Sequence, residues 1–383
     1  MVITNKTDSQ VNTLPNSFIK EIIQVCIVTH DLDKTVHTLS EKLGIGPFKC
    51  WHHTPVSQIN TKFRGEKIVS TAKLAIAWVG NMQLEVAQPL EGPSIYNDYL
   101  EIHGEGIHHL MLDTGSVSIE QAVERFLSVG CPVVQEGMVN VPVKLGLVNF
   151  PRPQFAHNLL CPWYGYLDTE GAIKTTIELL KLPPFTSLKS SSSLGKPDYC
   201  IPEGKANINS SLEKSFISQI CKIGIVTTDL EQTLRNYVER MAIGNWRVYN
   251  LDSSQLSQTK LRGQEANFSL RVAFAYIGNI LLELVQPIQG QSIHHELLEK
   301  HGEGINYLGV TTEGLSFAQA IDKFAAMGCQ VVMAGNLKNT YQFAYLDTEP
   351  FTKTTLELVS VAAKTLPEAL GHFKPDYYPA DSH

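Results

Sequence analysis

The chain has 383 residues and a net charge of −7 at pH 7, with 43% hydrophobic and 18% charged residues. This composition is typical of a globular protein with one duplicated or two separate domains, and its acidic balance argues against nucleic acid or an anionic membrane as a partner. The N-terminal segment lacks an apolar signal core, no apolar run could span a bilayer, and seven cysteines are an odd number for a disulfide framework. We therefore expect a cytoplasmic protein.

The first elements after residues 1–16, a polar and flexible N-terminus, are predicted by local patterns. A β-branched run at 22–29 predicts a strand. A helix should follow, because apolar residues recur at a spacing of three or four between an N-cap candidate, Asp31, and a terminating Gly44. Two further apolar runs, joined by a Gly-Asn pair at Gly80, are typical of a β-hairpin.

The same order of elements then starts again. The run GIHHLMLDT at 106–114 predicts a strand, and Ser118 with Gln121 forms a capping-box pattern at the start of a helix. Two more strand-like runs end near residue 181. We predict an α+β fold in which each half of the chain consists of two β-α-β-β-(β) units.

The chain is an internal repeat. The string GEGIHHL at Gly104 returns as GEGINYL at Gly302, and several other strings recur at the same offset of 198 residues. The offset falls to 179 at the string YLDTE, so the first half carries a 19-residue insertion after Gly137. We divide the chain into a first domain, a Pro/Ser-rich linker, a second domain and a C-terminal tail, which are residues 17–181, 182–214, 215–361 and 362–383.

These strings resemble the vicinal oxygen chelate superfamily, which includes glyoxalase I, methylmalonyl-CoA epimerase, extradiol dioxygenases and bleomycin resistance proteins. The segment LEVAQPLEGPSIYNDYLEIHGEGIHHL at 84–110 is similar to part of methylmalonyl-CoA epimerase. The resemblance covers residues 17–181 and 215–361. It implies the glyoxalase/bleomycin resistance/dioxygenase fold, with tandem βαβββ modules in two pseudo-symmetric halves. Paired modules of this family form a cup, in which four side chains on inner strands hold one divalent metal.

The resemblance implies a metal site in the first half, made by Gln24, Glu85, His109 and Glu178. This Gln-Glu-His-Glu order is similar to the ligand set of eukaryotic glyoxalase I, whereas the epimerases usually begin with His. One imidazole, two carboxylates and an amide oxygen suit six-coordinate Zn, Ni, Co, Mn or Fe, with positions left for substrate oxygens. The sequence does not choose among these metals.

The equivalent positions of the second half hold Lys222, Glu283, Tyr307 and Glu357. An ammonium group cannot bind a cation, so we expect a degenerate second site. Lys222 either neutralises the two carboxylates in place of a metal or extends to solvent, and the pattern leaves both open.

The alternation of strand side chains supports the first-half assignment. His109 and Met111 share one face, so we place His108 at a turn or on the outer face. Glu85 and Glu178 each lie between apolar neighbours, where a carboxylate is costly to bury unless it is paired, protonated or bound to metal. Each residue alone is more consistent with a solvated strand face than with a metal ligand, but the four together favour a metal.

Three residues are assigned to a substrate pocket, namely Met111, His157 and Trp163. We expect the insertion at about 138–160, which is rich in aromatic residues and proline, to shape the mouth of the first cup. Its alternative role is to cover the seam between the halves. The recurring His103 and His301 are interpreted as architectural.

The favoured function is a metal-dependent isomerase, epimerase or lyase, in which Glu85 or Glu178 abstracts a proton beside a carbonyl or carboxyl group of a small metabolite. A ligand-binding or sequestering protein, or a cyclase, without metal is the first alternative, and an Fe(II) dioxygenase is the second. The dioxygenase usually needs two histidines and one carboxylate, and here only one His falls on the expected positions. A homodimer is compatible with the sequence. Exchange of modules between the halves would instead set Gln24 and Glu85 against Tyr307 and Glu357.

Overall fold

A computed structural model describes the chain in segments, which are residues 17–140, 143–145, 148–150, 157–184, 186, 194–202, 215–337, 341–360 and 374–380. The strands of the first half and the segment after it are β1 (Glu21–Val28), β2 (Phe48–His53), β3 (Gln58–Phe63), β4 (Glu66–Lys67), β5 (Ala72–Val79), β6 (Met82–Pro89), β7 (Gly106–Asp113), β8 (Val133–Val139), β9 (Val143–Leu145), β10 (Val148–Phe150), β11 (Trp163–Leu167), β12 (Thr176–Lys181) and β13 (Tyr199–Ile201). The helices of the same part are α1 (Leu32–Leu43), α2 (Ile95–His103), α3 (Ile119–Ser128), α4 (His157–Leu160) and α5 (Glu170–Ile173).

The second half repeats this order. Its strands are β14 (Ile217–Val226), β15 (Trp246–Asp252), β16 (Ser257–Leu261), β17 (Gln264–Glu265), β18 (Phe268–Ile277), β19 (Ile280–Gly290), β20 (Gly304–Thr312), β21 (Val331–Leu337), β22 (Tyr341–Leu346), β23 (Thr355–Val359) and β24 (Asp376–Tyr378). Its helices are α6 (Leu230–Met241), α7 (Ile293–His301), α8 (Phe317–Ala326) and α9 (Glu349–Thr352), with a 3₁₀ turn at Ser253–Gln255.

Each half forms its own mixed sheet of eleven strands, and the two orders correspond strand for strand. The first sheet runs β13-β2-β5-β6-β1-β7-β12-β11-β8-β3-β4, and the second runs β24-β15-β18-β19-β14-β20-β23-β22-β21-β16-β17. The predicted α+β architecture with two repeated halves is confirmed. The candidate ligands were predicted on four strands of each half, and these strands are neighbours at the centre of each sheet.

Local signals begin and end the elements where the sequence predicted. The carboxylate of Asp31 accepts a hydrogen bond from the Lys34 amide, and Gly44 ends α1 in the left-handed region with φ +66°. Ser118 and Gln121 make both bonds of a capping box at α3.

The repeated KPDY strings add a strand to each sheet. These strands, β13 and β24, pair with β2 and β15 at the sheet edges. They lie in segments that the sequence assigned to the linker and the tail. Edge pairing of this kind covers backbone groups that would otherwise be open to another chain.

The two halves pack against each other through one apolar core, which contains buried side chains from both. Around it, Lys174 pairs with Glu303 at 2.8 Å and Lys353 with Glu105 at 2.8 Å, so each half contributes one cation and one carboxylate. His103 lies at the same seam, where its Nδ1 is 2.8 Å from the His301 carbonyl oxygen. The two ion pairs are symmetric between the halves, and the contact of His103 with the second half supports the architectural interpretation of that histidine.

Candidate metal centre and two cups

Four polar side chains meet at the floor of the first cup, one from each central strand. Gln24 lies on β1, Glu85 on β6, His109 on β7 and Glu178 on β12, and these strands are adjacent in the order β6-β1-β7-β12. Their exposed fractions are 4%, 4%, 0% and 6%. The structure thus brings together residues that are up to 154 positions apart (24 to 178), and all four are buried among apolar strand neighbours.

Three close contacts link the four side chains in a row. Gln24 Nε2 donates a hydrogen bond of 2.6 Å to Glu85 Oε2. His109 Nε2 lies 3.4 Å from the same Glu85 oxygen and 3.1 Å from Glu178 Oε2. One imidazole nitrogen therefore lies within 3.4 Å of two carboxylate oxygens, one from each glutamate.

This donor set fits a divalent metal. Although 3.1 Å separates His109 Nε2 from Glu178 Oε2, the approach lacks hydrogen-bond geometry, and both atoms are without a hydrogen-bond partner among the described residues. Buried polar atoms are normally paired, so two orphans facing each other indicate a missing partner. The Cys26 sulfur lies near, since its Sγ and one ligand atom each of Glu85 and His109 fall within 4.8 Å of one another. For Gln24 to join a metal, its amide would have to present oxygen instead of nitrogen.

The protein atoms alone leave this floor electrostatically unbalanced. Burial lowers the pKa of His109, but the carboxylates of Glu178 and Glu85 outweigh it and raise that pKa to about 9. Burial, before any other cause, raises the pKa of Glu178. A buried group of two carboxylates and one imidazole carries an excess of negative charge that a bound cation would neutralise.

His108 was placed at a turn or an outer face, and the structure corrects this. In the pairing of β1 with β7, Cys26 faces His109 and Ile27 faces Ile107, so His108 is the extra residue of a β-bulge. Its side chain is 2% exposed, and its Nδ1 lies 2.9 Å from Nδ1 of His109. The bulge breaks the strand alternation on which the sequence argument relied.

The contact between His108 and His109 determines which ring nitrogen of His109 can carry a lone pair for a metal. If His109 donates from Nδ1 to His108, its Nε2 carries a lone pair toward Glu85 and Glu178, as a metal ligand requires. Burial lowers the pKa of His108 well below its usual range, so this ring stays neutral and can accept the bond.

Above the floor, the first cup encloses about 620 Å³ of space, part of it open to solvent. Its wall is mixed: apolar residues such as Leu74 and Ile76 lie beside polar and aromatic ones, which are His53, Gln58, Gln83, Gln135, Tyr96, Tyr164 and Tyr166. The hydroxyls of Tyr96 and Tyr166 are 2.6 Å apart. Sequence reasoning missed this wall, although the strand alternation of YGYL at 164–167 was a usable signal for the two tyrosines of β11.

The structure places the three predicted pocket residues at three different sites. Met111 lines the first cup. The indole of Trp163 instead donates to Glu136 at 3.1 Å and packs against the core, because Trp163 and Tyr164 point to opposite faces of β11. His157 lines a separate cleft beside the cup, formed mainly by residues from Pro55 to Ser70. Much of the insertion that was expected to shape the mouth lies outside the described residues.

In the second cup, a lysine ammonium occupies the place between the carboxylates. Lys222 Nζ lies 2.6 Å from Glu283 and 2.5 Å from Glu357, and the residue is 3% exposed, so it does not extend to solvent. Tyr307 donates to Glu283 at 2.8 Å, and Tyr341 donates to Glu357 at 3.2 Å. Burial lowers the pKa of Lys222, but the two carboxylates outweigh it and raise that pKa well above its usual range.

Modules are not exchanged between the halves. Strand β1 pairs with β6 and β7 of its own half, and β14 pairs with β19 and β20. Gln24 and Glu85 therefore face His109 and Glu178, and each half builds a complete cup.

One of two similar solved structures supports this fold. A triple mutant of 4-hydroxymandelate synthase from Streptomyces coelicolor superposes with a TM-score of 0.52 at 13% identity, covering 94% of this chain and 99% of that one. The Mn(II)-bound glyoxalase from Novosphingobium aromaticivorans gives a TM-score of 0.42 at 10% identity, over 90% of this chain and 82% of that one. Among curated proteins no sequence matches. No described helix is long and apolar enough to cross a membrane.

The sequence comparison with protein families gives two matches to one family, one in each half. The profile of the Glyoxalase/Bleomycin resistance protein/Dioxygenase superfamily matches residues 23–146 and again residues 221–345, which together are more than half of the chain. The two matched regions contain equivalent strands of the two cups. The chain is therefore an internally duplicated member of the glyoxalase/bleomycin resistance protein/dioxygenase superfamily.

Proposed function

We propose that the first cup is a metal-dependent active site that moves a proton to or from a carbon next to a carbonyl or carboxyl group of a small metabolite. The reaction class is isomerisation, epimerisation or elimination. The observation that carries the proposal is the convergence of Glu85, His109 and Glu178 at a buried floor with two unpartnered polar atoms. The second half supports it, because the same floor is there completed by an ammonium group.

Gln24, Glu85, His109 and Glu178 would hold the metal. When bound, a divalent ion supplies Lewis acidity toward a substrate oxygen that gains negative charge as the C–H proton leaves. A carboxylate at the floor of the cup then serves as the base, and Glu178, whose second oxygen lacks a hydrogen-bond partner, is our first choice over Glu85.

Other residues of the cup would orient the substrate and exclude water. Tyr96 and Tyr166 share a hydrogen bond above the floor, and either hydroxyl can donate to a substrate oxygen. His53 is neutral at physiological pH because burial lowers its pKa to about 4, so it offers a hydrogen bond without charge. Gln135 donates or accepts through its amide, although its Oε1 already accepts from the Ile95 amide.

One observation favours the alternative that the first cup binds a ligand without metal. Gln24 donates directly to Glu85 at 2.6 Å, so part of the floor is satisfied by protein alone. The likeness to 4-hydroxymandelate synthase reflects the fold and does not favour the dioxygenase alternative for this chain. A pocket that binds a ligand without metal would keep its shape in variants that remove His109 or Glu178.

The test combines metal content with proton exchange. Purified full-length protein should contain about one transition-metal ion per chain, and it should exchange the acidic C–H of at least one probe in D₂O among 2-oxobutanoate, dihydroxyacetone and a propanoyl thioester. In Glu178→Gln, exchange should fall at least ~100-fold, the scale expected for the loss of a general base. His109→Ala should lose the metal.

The repeat supplies a matched control, since Glu357→Gln makes the same change at the equivalent position of the second cup. That variant should keep both metal content and exchange. Metal-free wild-type protein, or equal loss in Glu178→Gln and Glu357→Gln, would contradict the assignment of catalysis to the first cup.

A further inference from the structure

The second cup has a cavity of similar size, and its wall is more apolar than that of the first. It encloses about 590 Å³, part of it open to solvent, compared with about 620 Å³ in the first cup. Four wall positions that are polar in the first cup are apolar in the second: His53, Gln58, Gln135 and Tyr164 correspond to Leu251, Leu256, Met333 and Phe343. At these four positions the second cup is more apolar than the first.

A copy with only a structural role would be expected to fill this space. Protein interiors are close-packed, and unfilled apolar space forfeits the contacts that the lining side chains would otherwise make. Large side chains are present, such as Phe268, Phe274 and Phe343, but they line the cavity without closing it. An open cavity with an apolar wall is what a hydrophobic ligand requires.

The floor of the second cup argues against three other kinds of ligand, which are a metal ion, an imine-forming carbonyl compound and an ionic ligand. The Lys222 ammonium is held by Glu283 and Glu357, so the position of a metal is taken. The same ion pairs keep the amine protonated, so it cannot attack a carbonyl group to form an imine. Tyr307 and Tyr341 already donate to the carboxylates, so the floor offers little to an ionic ligand.

One polar group of the wall remains available. His294 is 2% exposed and lines the cavity, and its Nδ1 has no hydrogen-bond partner among the described residues. Its Nε2 lies 3.5 Å from the Tyr345 hydroxyl. A ligand with a single hydroxyl or amine could pair with Nδ1.

We propose that the second cup binds a neutral, predominantly apolar small molecule, aromatic or aliphatic, which packs against Leu270, Phe274 and Phe343 and makes one hydrogen bond with His294. This site is independent of the chemistry proposed for the first cup. The chain would thus have two cups of one fold, of which the second has the more apolar wall.

The first experiment is a fluorescence titration of the full-length protein with N-phenyl-1-naphthylamine, a neutral aromatic amine. The wild type should show saturable binding. Val272→Trp, which fills the second cup, should weaken binding at least ~10-fold, a loss of about 1.4 kcal/mol. The matched control is Leu74→Trp, the equivalent change in the first cup, which should leave binding within about twofold.

A second variant with a smaller change in volume keeps the test valid if Val272→Trp does not fold. Leu256→Gln introduces the residue found at the equivalent position, Gln58, on a half-buried wall site, and it should also weaken binding. Thermal unfolding and circular dichroism would verify that each variant is folded. Absence of saturable binding in the wild type, or equal weakening by Leu74→Trp, would overturn the proposal.

Competition tests the hydrogen bond to His294. 1-Naphthol should displace the probe more strongly than naphthalene in the wild type, because only the naphthol can pair with the imidazole. In His294→Phe that advantage should disappear while naphthalene competes as before. If the advantage persists in the variant, the assignment of His294 as the polar contact is wrong.

Discussion

Gly224→Ala tests why the second cup has a glycine where the first has Cys26. Gly224 faces Tyr307 across β14 and β20, as Cys26 faces His109 across β1 and β7. A Cβ at residue 224 would lie 2.0, 2.1 and 2.3 Å from three atoms of the Tyr307 ring. The ring therefore occupies the volume that a side chain at residue 224 would need.

The ring has little freedom to move away. It is 0% exposed, its hydroxyl donates to Glu283 at 2.8 Å, and the Tyr345 ring lies 5.1 Å from it. Carbon atoms pack at about 3.5–4.0 Å, so the ring must shift by about 1.5 Å or more. Overpacking of this kind costs about 1–3 kcal/mol, and loss of a hydrogen bond to a charged group adds about 1.5–3 kcal/mol. We expect Gly224→Ala to destabilise the protein by about 3 kcal/mol.

The assay is thermal unfolding followed by circular dichroism. A loss of about 3 kcal/mol should lower Tm by about 6–12 °C for a unit of 150–250 residues. Gly171→Ala is the control, because a Cβ there meets no atom within 4 Å. Adding Tyr307→His should restore part of the stability of Gly224→Ala, since the smaller ring leaves room for the added methyl group while the bond to Glu283 stays lost. A Gly224→Ala protein as stable as the control, or no recovery in the double variant, would refute the argument.

Three further outcomes are expected. Lys222→Gln combined with Tyr307→His should give the second cup the ligand types of the first, and elemental analysis should then find about one more metal ion per chain. Burial raises the pKa of Glu357 to about 7, above its usual 4.5, so the folded chain holds a proton there that the unfolded chain releases. The free energy of unfolding should therefore fall as pH rises from about 4.5 through 7. Glu357→Gln should make this dependence on pH weaker in urea unfolding measured across the same range. His108→Phe removes the acceptor that orients His109, and chelator competition should show metal affinity lower by about 10–100-fold; an unchanged affinity would show that the bulge histidine does not position the ligand.

The sequence by itself determined the duplication and the local elements. Repeated strings at a fixed offset show the two halves without any structure, and the cap at Asp31 and the capping box at Ser118 are encoded within a few residues. The candidate set Gln24, Glu85, His109 and Glu178 was also accessible, although the family resemblance and not periodicity selected it. Local patterns and resemblance thus predicted the fold class and the residues at the floor of the first cup.

The tertiary structure decided everything that depends on distant strands. Modules of one half pair with each other because β1 carries both β6 and β7 on its edges, which no local pattern specifies. The bulge that buries His108 arises from register between two strands, and the face on which Trp163 lies depends on where β11 joins the sheet. The apolar cavity of the second cup is likewise formed by side chains from many strands. A sequence encodes each strand, but the pairing and curvature of the sheet decide which side chains share a cup.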